Sequence, residues 1–168
     1  NYLIMASLDD IRATRLAKLK LLQEKGVNPY PISSAPSVDL AAAEKDFARL
    51  AKKKSITLAG RVMAQRSQGG LVFADLFDGT GKFQALLKKD ELKGGQFVLW
   101  SDTVDIGDFV EATGTLFLTK RKEKTLQVKK WRMLAKSLRP LPEKWHGLTD
   151  TEERFRRRYL DILMNEEV

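Results

Sequence analysis

Leu71-Val-Phe-Ala-Asp-Leu-Phe-Asp-Gly-Thr-Gly-Lys-Phe-Gln-Ala-Leu-Leu87 consists of two short apolar runs on either side of Asp78-Gly79-Thr80-Gly81. The central tetrapeptide holds the glycines a tight hairpin needs, because glycine enters the left-handed region without steric cost. A loop there sets Phe77 against Lys82 and Asp75 against Gln84. Alternation along each strand then sends Val72, Ala74 and Leu76 to one face, with Phe83, Ala85 and Leu87 beside them. That face is uniformly apolar and is predicted to be interior. The other face carries Leu71, Phe73, Asp75 and Phe77 beside Lys82, Gln84 and Leu86. Its rings, carboxylate, amide and amine suit water or a ligand.

Working outward, the segment from Ser55 also has a period of two. Ile56, Leu58, Val62 and Ala64 alternate with Thr57, Ala59, Arg61, Met63 and Gln65. Gly60 inside this first strand permits the bend of a barrel corner. Gln68-Gly69-Gly70 turns the chain into the hairpin. Beyond it, Asp90 to Trp100 reads as a short helix, and Asp105-Ile106-Gly107-Asp108 as a loop. Phe109 to Thr119 and Thr125 to Leu134 are two more strands, joined by Lys120-Arg121-Lys122-Glu123-Lys124. Five strands with an element inserted between the third and fourth follow the order of an OB-fold. The predicted class is mainly β with flanking helices, a five-stranded OB-fold β-barrel preceded by an N-terminal helical extension. The extension occupies 1–54, the barrel 55–137, and a linker with a closing helix 138–168.

The extension reads as two helices. Ser7 to Lys25 has an N-cap at Ser7, Asp10 in capping-box position and Gly26 as a left-handed stop. Leu8, Ile11, Leu19 and Leu22 form its apolar stripe, while Arg12, Arg15, Lys18 and Lys20 read as a solvated basic face. The prolines at 29, 31 and 36 keep the next stretch extended. Asp39 to Lys53 returns to helix, with Leu40, Ala43, Phe47 and Leu50 on one side. Thr149 to Asn165 is a last helix, capped by Thr149 and Glu152. Met5 reads as a natural start, and Asn1 to Ile4 as residues added ahead of it.

Several function classes find no support in the composition. No cysteine is present, which removes disulfides, thiolate metal sites and a cysteine nucleophile. The single histidine, His146, cannot build a multi-histidine metal site and reads as packed or capping. Gly79-Thr80-Gly81-Lys82 lacks the spacing of a phosphate-binding loop. No apolar run approaches the ~18 residues of a membrane span. No catalytic residue, metal ligand or cofactor site is therefore assigned within this chain. Lys and Arg outnumber Asp and Glu by 30 to 22, a formal charge of +8 that favours a polyanionic partner.

Phe73 stands on the wet face, diagonal to Gln84. A ring beside an amide fits single-stranded nucleic acid, since bases stack on the ring and the amide can meet a base edge. Phe77, nearer the barrel end, is expected under the N-terminal helices. The alternatives are a general single-stranded nucleic-acid module and a protein-interaction domain with an acidic partner, because the fold alone does not select a ligand.

The stretch Leu138-Arg-Pro-Leu-Pro-Glu-Lys-Trp-His-Gly-Leu-Thr-Asp-Thr-Glu-Glu-Arg-Phe-Arg-Arg-Arg-Tyr-Leu-Asp161 closely resembles the junction between the anticodon-binding and catalytic domains of class II lysyl-tRNA synthetases. Arg15-Leu-Ala-Lys-Leu19, Gly26-Val-Asn-Pro-Tyr-Pro31, Gly60-Arg-Val-Met63 and Leu76-Phe-Asp78 are similar to the same family. The resemblance implies that Phe73 stacks on the central base of a uridine-rich anticodon and that Gln84 bonds its edge. Arg66 matches an arginine that contacts the anticodon loop, although strict parity aims it inward. Asp75 stands on the same face. A family glutamate that contacts a flanking base corresponds to Thr125, with Glu123 two residues earlier. Arg61, Lys82, Lys120 and Arg121 carry over as weaker loop and phosphate contacts. The resemblance further implies a tRNA(Lys) anticodon stem-loop as partner and a cytoplasmic, homodimeric parent enzyme. Its ATP- and Mg²⁺-dependent lysine activation would lie in a catalytic domain beyond residue 168.

Overall fold

The computed structural model describes residues 7–142 and 151–164. Its centre is a closed barrel of β1 (Ile56–Gln68), β2 (Leu71–Phe77), β3 (Lys82–Lys88), β4 (Phe109–Leu118) and β5 (Lys124–Ala135). The strands follow one another round the barrel as β1-β2-β3-β5-β4. All neighbours are antiparallel except β3 and β5, which close the barrel through a short parallel seam. In that seam Gln84, Ala85 and Leu86 pair with Thr125, Leu126 and Gln127.

The hairpin adopts the expected register, with Phe77 opposite Lys82 and Asp75 opposite Gln84. Val72, Ala74, Leu76, Phe83, Ala85 and Leu87 are all buried in the core. One residue of the opposite face departs from expectation. Leu86 is 5% exposed, shut in beside the seam rather than wet. Gly60 packs closely on β2: a Cβ there would come within 3.1 Å of the Phe77 backbone. Gly114 is tighter still: a Cβ would stand 1.9 Å from the Gln127 carbonyl oxygen, at a register shift between β4 and β5.

α1 (Leu8–Glu24) begins with the full capping box between Ser7 and Asp10, and Gly26 follows at φ +72°. Its apolar stripe is less complete than expected, since Leu22 is buried but Leu8 is 71% exposed. Arg15, read as part of a solvated face, is 7% exposed. Its guanidinium donates to the carbonyls of Ser137, Arg139 and Ile106 at 3.0, 3.1 and 3.0 Å. Those three carbonyls converge where the chain leaves the barrel, and the planar guanidinium carries enough donors to satisfy them all.

The second predicted helix is two short ones, α2 (Leu40–Lys45) and α3 (Phe47–Leu50), broken at Asp46. Asp39 caps α2, and the hairpin loop caps it again. Asp78 Oδ2 accepts from the Leu40 amide at 2.8 Å, and Thr80 Oγ1 accepts from the Ala41 amide at 3.2 Å. Burial of Asp78 opposes its ionisation. The hydrogen bonds it accepts from Leu40, Thr80 and Gly81 outweigh that and hold its carboxyl below the usual range.

α4 (Gln96–Thr103) bridges β3 and β4, starting later than the predicted Asp90 because Gly94 and Gly95 both take left-handed φ. Its Trp100 meets Trp131 edge to face with ring centres 5.0 Å apart. α5 (Thr151–Arg156) and α6 (Arg158–Met164) replace the single closing helix. His146 and the Thr149 cap lie outside the described residues.

Candidate nucleic-acid interface

The outer face of β1, β2 and β3 is organised by an irregularity in β1. Val62 pairs with Leu76, yet Ala64 pairs with Asp75, so Met63 is an extra residue in that strand. A bulge of this kind reverses the in–out parity of everything after it. Ala64, expected in the core, is exposed. Gln65 turns inward instead. Its Nε2 donates to the Val104 carbonyl at 3.1 Å, and its Oε1 accepts from Trp100 Nε1 at 3.2 Å. Arg66, which parity aimed inward, now stands outside opposite Phe73.

The result is a compact set of groups. The Arg66 guanidinium lies 4.9 Å from the centre of the half-buried Phe73 ring, a cation–π contact. Asp75 is the next outward residue on β2, and Gln84 is its cross-strand partner. Gln84 Oε1 accepts a hydrogen bond of 3.0 Å from the Thr125 hydroxyl across the parallel seam. Thr125 itself is fully buried, one step behind the surface rather than on it. Neither Phe73 nor Gln84 is sealed in.

The other expected residues are spread around this set. Lys120, Arg121 and Glu123 are exposed in the β4–β5 turn, where Lys122 takes a left-handed φ of +64°. Because β3 and β5 run parallel, that turn lies at the Lys82 end of β3. Lys82 is exposed opposite Phe77. Arg61 lies at the far end of β2 from Phe73. Its guanidinium sits 4.2 Å from the Phe109 ring centre and donates to the Gly107 carbonyl at 3.2 Å, and burial lowers its pKa. Phe77 lines a cleft with Arg61, Lys82, Leu141, Tyr159 and Leu163.

A second ring on the outer surface was not anticipated. Phe117 pairs with Thr125 and lies under Lys88 Nζ, 5.9 Å from the ring centre. Leu116 is buried and Phe117 half-buried, so the ring faces outward; the available signal was a phenylalanine one step out of phase with Leu116 in the predicted fourth strand. Among the described residues no cluster of acidic or histidine side chains could hold a metal ion, and no helix is long and apolar enough to cross a membrane.

Residues 56–134 match the OB-fold nucleic acid binding domain of the tRNA anticodon family. The chain is 42% identical to a lysine–tRNA ligase of Prochlorococcus marinus (strain MIT 9303), an alignment that covers 96% of the chain and 34% of that protein. It is 40% identical to the lysine–tRNA ligase of Dehalococcoides mccartyi, over 92% of the chain and 32% of that protein. It is also 44% identical to the lysylphosphatidylglycerol biosynthesis bifunctional protein LysX of Mycobacterium avium (strain 104), over 91% of the chain and 13% of that protein. The chain thus spans about a third of the length of the ligases it matches. A closed five-stranded barrel, a ring and an amide on its outer face, and these likenesses agree: the chain carries an anticodon-binding OB-fold domain and is homologous to a region of the lysine–tRNA ligases.

Proposed function

We propose that this chain selects tRNA(Lys) by its anticodon loop for a lysine–tRNA ligase of which it forms one region. Phe73 stacks on the central anticodon base, and Gln84 bonds the Watson–Crick edge of that base. Arg66 leaves the Phe73 ring to meet the base or its phosphate. Asp75 and Glu123 face neighbouring bases, while Lys82, Lys120 and Arg121 meet phosphates. Arg61, already held by Gly107 and Phe109, contributes only field. The observation that carries this is the convergence of Arg66, Phe73 and Gln84 on one face through the bulge at Met63. A bulge that costs ladder pairing and turns a cation outward is expected where a ligand uses it. ATP and Mg²⁺ would serve lysine activation in the rest of the enzyme, a cytoplasmic homodimer.

Sequence-specific RNA recognition targets splayed, single-stranded bases, and phosphate contacts add affinity that falls with salt. The test is a titration of synthetic lysine and aspartate anticodon stem-loops at two salt concentrations. Tighter binding of the lysine loop at both salts, with a negative slope of log K against log salt, is expected. Equal affinity for the two loops removes the base-reading role. Failure to bind either loop would favour an acidic protein partner instead.

A further inference from the structure

We infer that Thr125 sets the base preference of this face by fixing which end of the Gln84 amide points outward. The inference rests on Gln84 meeting a base edge, as proposed above, and adds the residue that decides what Gln84 offers to it.

A glutamine side chain has two ends of similar size and opposite character, a carbonyl that accepts and an NH₂ that donates. On an open surface it flips between them, and such an amide discriminates poorly between bases whose edges differ only in donor and acceptor. Here it is held. Thr125 is 0% exposed, and its hydroxyl donates to Gln84 Oε1 at 3.0 Å. The same hydroxyl lies a longer 3.3 Å from the Glu123 carbonyl, so the bond to Gln84 is the shorter of its two acceptor contacts. The backbones of Gln84 and Thr125 are register partners in the parallel seam, so neither residue can drift from the other without opening the barrel. With Oε1 occupied, the free end of Gln84 is Nε2, a pure donor. Uridine offers the carbonyl O4 at the position where cytidine offers an amine. A donor matches the first and opposes the second. A buried hydroxyl that never touches RNA therefore carries the choice between the two pyrimidines.

The conservative exchange Thr125→Val keeps the shape of the buried side chain and deletes the donor, and Thr125→Ser keeps the donor. The measurement is the affinity of each protein for a uridine-rich anticodon stem-loop and for the same RNA with cytidine at the central anticodon position. Any loss of folded protein lowers both affinities by one factor and leaves their ratio unchanged. Losing an orienting hydrogen bond worth ~0.5–1.5 kcal/mol should reduce the uridine-to-cytidine ratio by about 2–12-fold in Thr125→Val. Thr125→Ser should retain the ratio. In a Gln84→Ala background Thr125→Val should change the ratio no further.

Thr125→Val with an unchanged ratio overturns the inference, whatever happens to affinity. So does a further fall of the ratio in the Gln84→Ala background. A wild-type chain that binds both RNAs equally fails earlier, at base reading itself, and takes this inference with it. A wild-type preference that survives Thr125→Val but is lost in Gln84→Ala defeats the positioning role alone.

Discussion

The Phe73 ring keeps one side against the barrel and the other under the Arg66 guanidinium, 4.9 Å away. That gap is too narrow for a base, so RNA must displace Arg66 before it can stack. Phe73→Ala removes the stacking surface and leaves the barrel interior untouched, since the ring lies on the outer face. Affinity for a uridine-rich anticodon stem-loop should fall by about 1–3 kcal/mol at fixed salt, the usual worth of a base on a ring. Fluorescence anisotropy would measure it, and an unchanged Kd would remove Phe73 from the interface. Phe73 and Gln84 were legible in the sequence because one tight loop fixes the hairpin register and parity does the rest. Arg66 was legible only through family resemblance. Parity aimed it inward, and no local residue pattern marks Met63 as the extra residue that reverses it. The burial of Thr125 was not legible, because a parallel contact between strands forty residues apart leaves no trace in either strand.

At the scale of elements, strands and helices were legible to different degrees. The strand limits fell within a residue or two of those expected, since alternation and glycine turns are local. The helices depended on distant partners. Arg15 looked like a solvated cation until three carbonyls from residues 106, 137 and 139 closed over it. α2 likewise depends on distant partners, pinned at its start by Asp78 and Thr80. Gly114 looked unremarkable inside the fourth strand, yet β5 crosses it so closely that a methyl group would lie 1.9 Å from a backbone oxygen. Backbone cannot yield as a flexible side chain can. Gly114→Ala should therefore cost at least the ~1–3 kcal/mol typical of overpacking, read as a lower thermal unfolding midpoint. An unaltered midpoint would show that β4 and β5 separate there without penalty.

Across the whole molecule, α1, the barrel and the departing chain meet at one buried charged cluster. Lys136 Nζ, fully buried, bonds Asp105 and Asp108 at 2.6 Å each, and Lys18 of α1 reaches Asp105 at 2.5 Å. Burial raises the pKa of Asp105, but the bonds and charges of Lys136 and Lys18 outweigh it, and the folded value lies below the ordinary one. A lowered folded pKa means that the stabilisation is complete above the unfolded carboxylate pKa of ~3.9 and is lost as pH falls through the folded value. The unfolding midpoint should stay level near neutrality and decline below about pH 4. Asp105→Asn should start lower and decline less, and an identical acid slope in the two proteins would rule this cluster out as the cause. The parallel seam between β3 and β5 joins these scales. Its first rung, Gln84 with Thr125, is also the contact that holds the amide proposed to meet RNA. On the proposed reading, closing the barrel and reading the base are one equilibrium seen from two sides: an anticodon that grips Gln84 would staple the molecule shut, and by thermodynamic reciprocity a barrel that opens more readily would hold its anticodon less tightly.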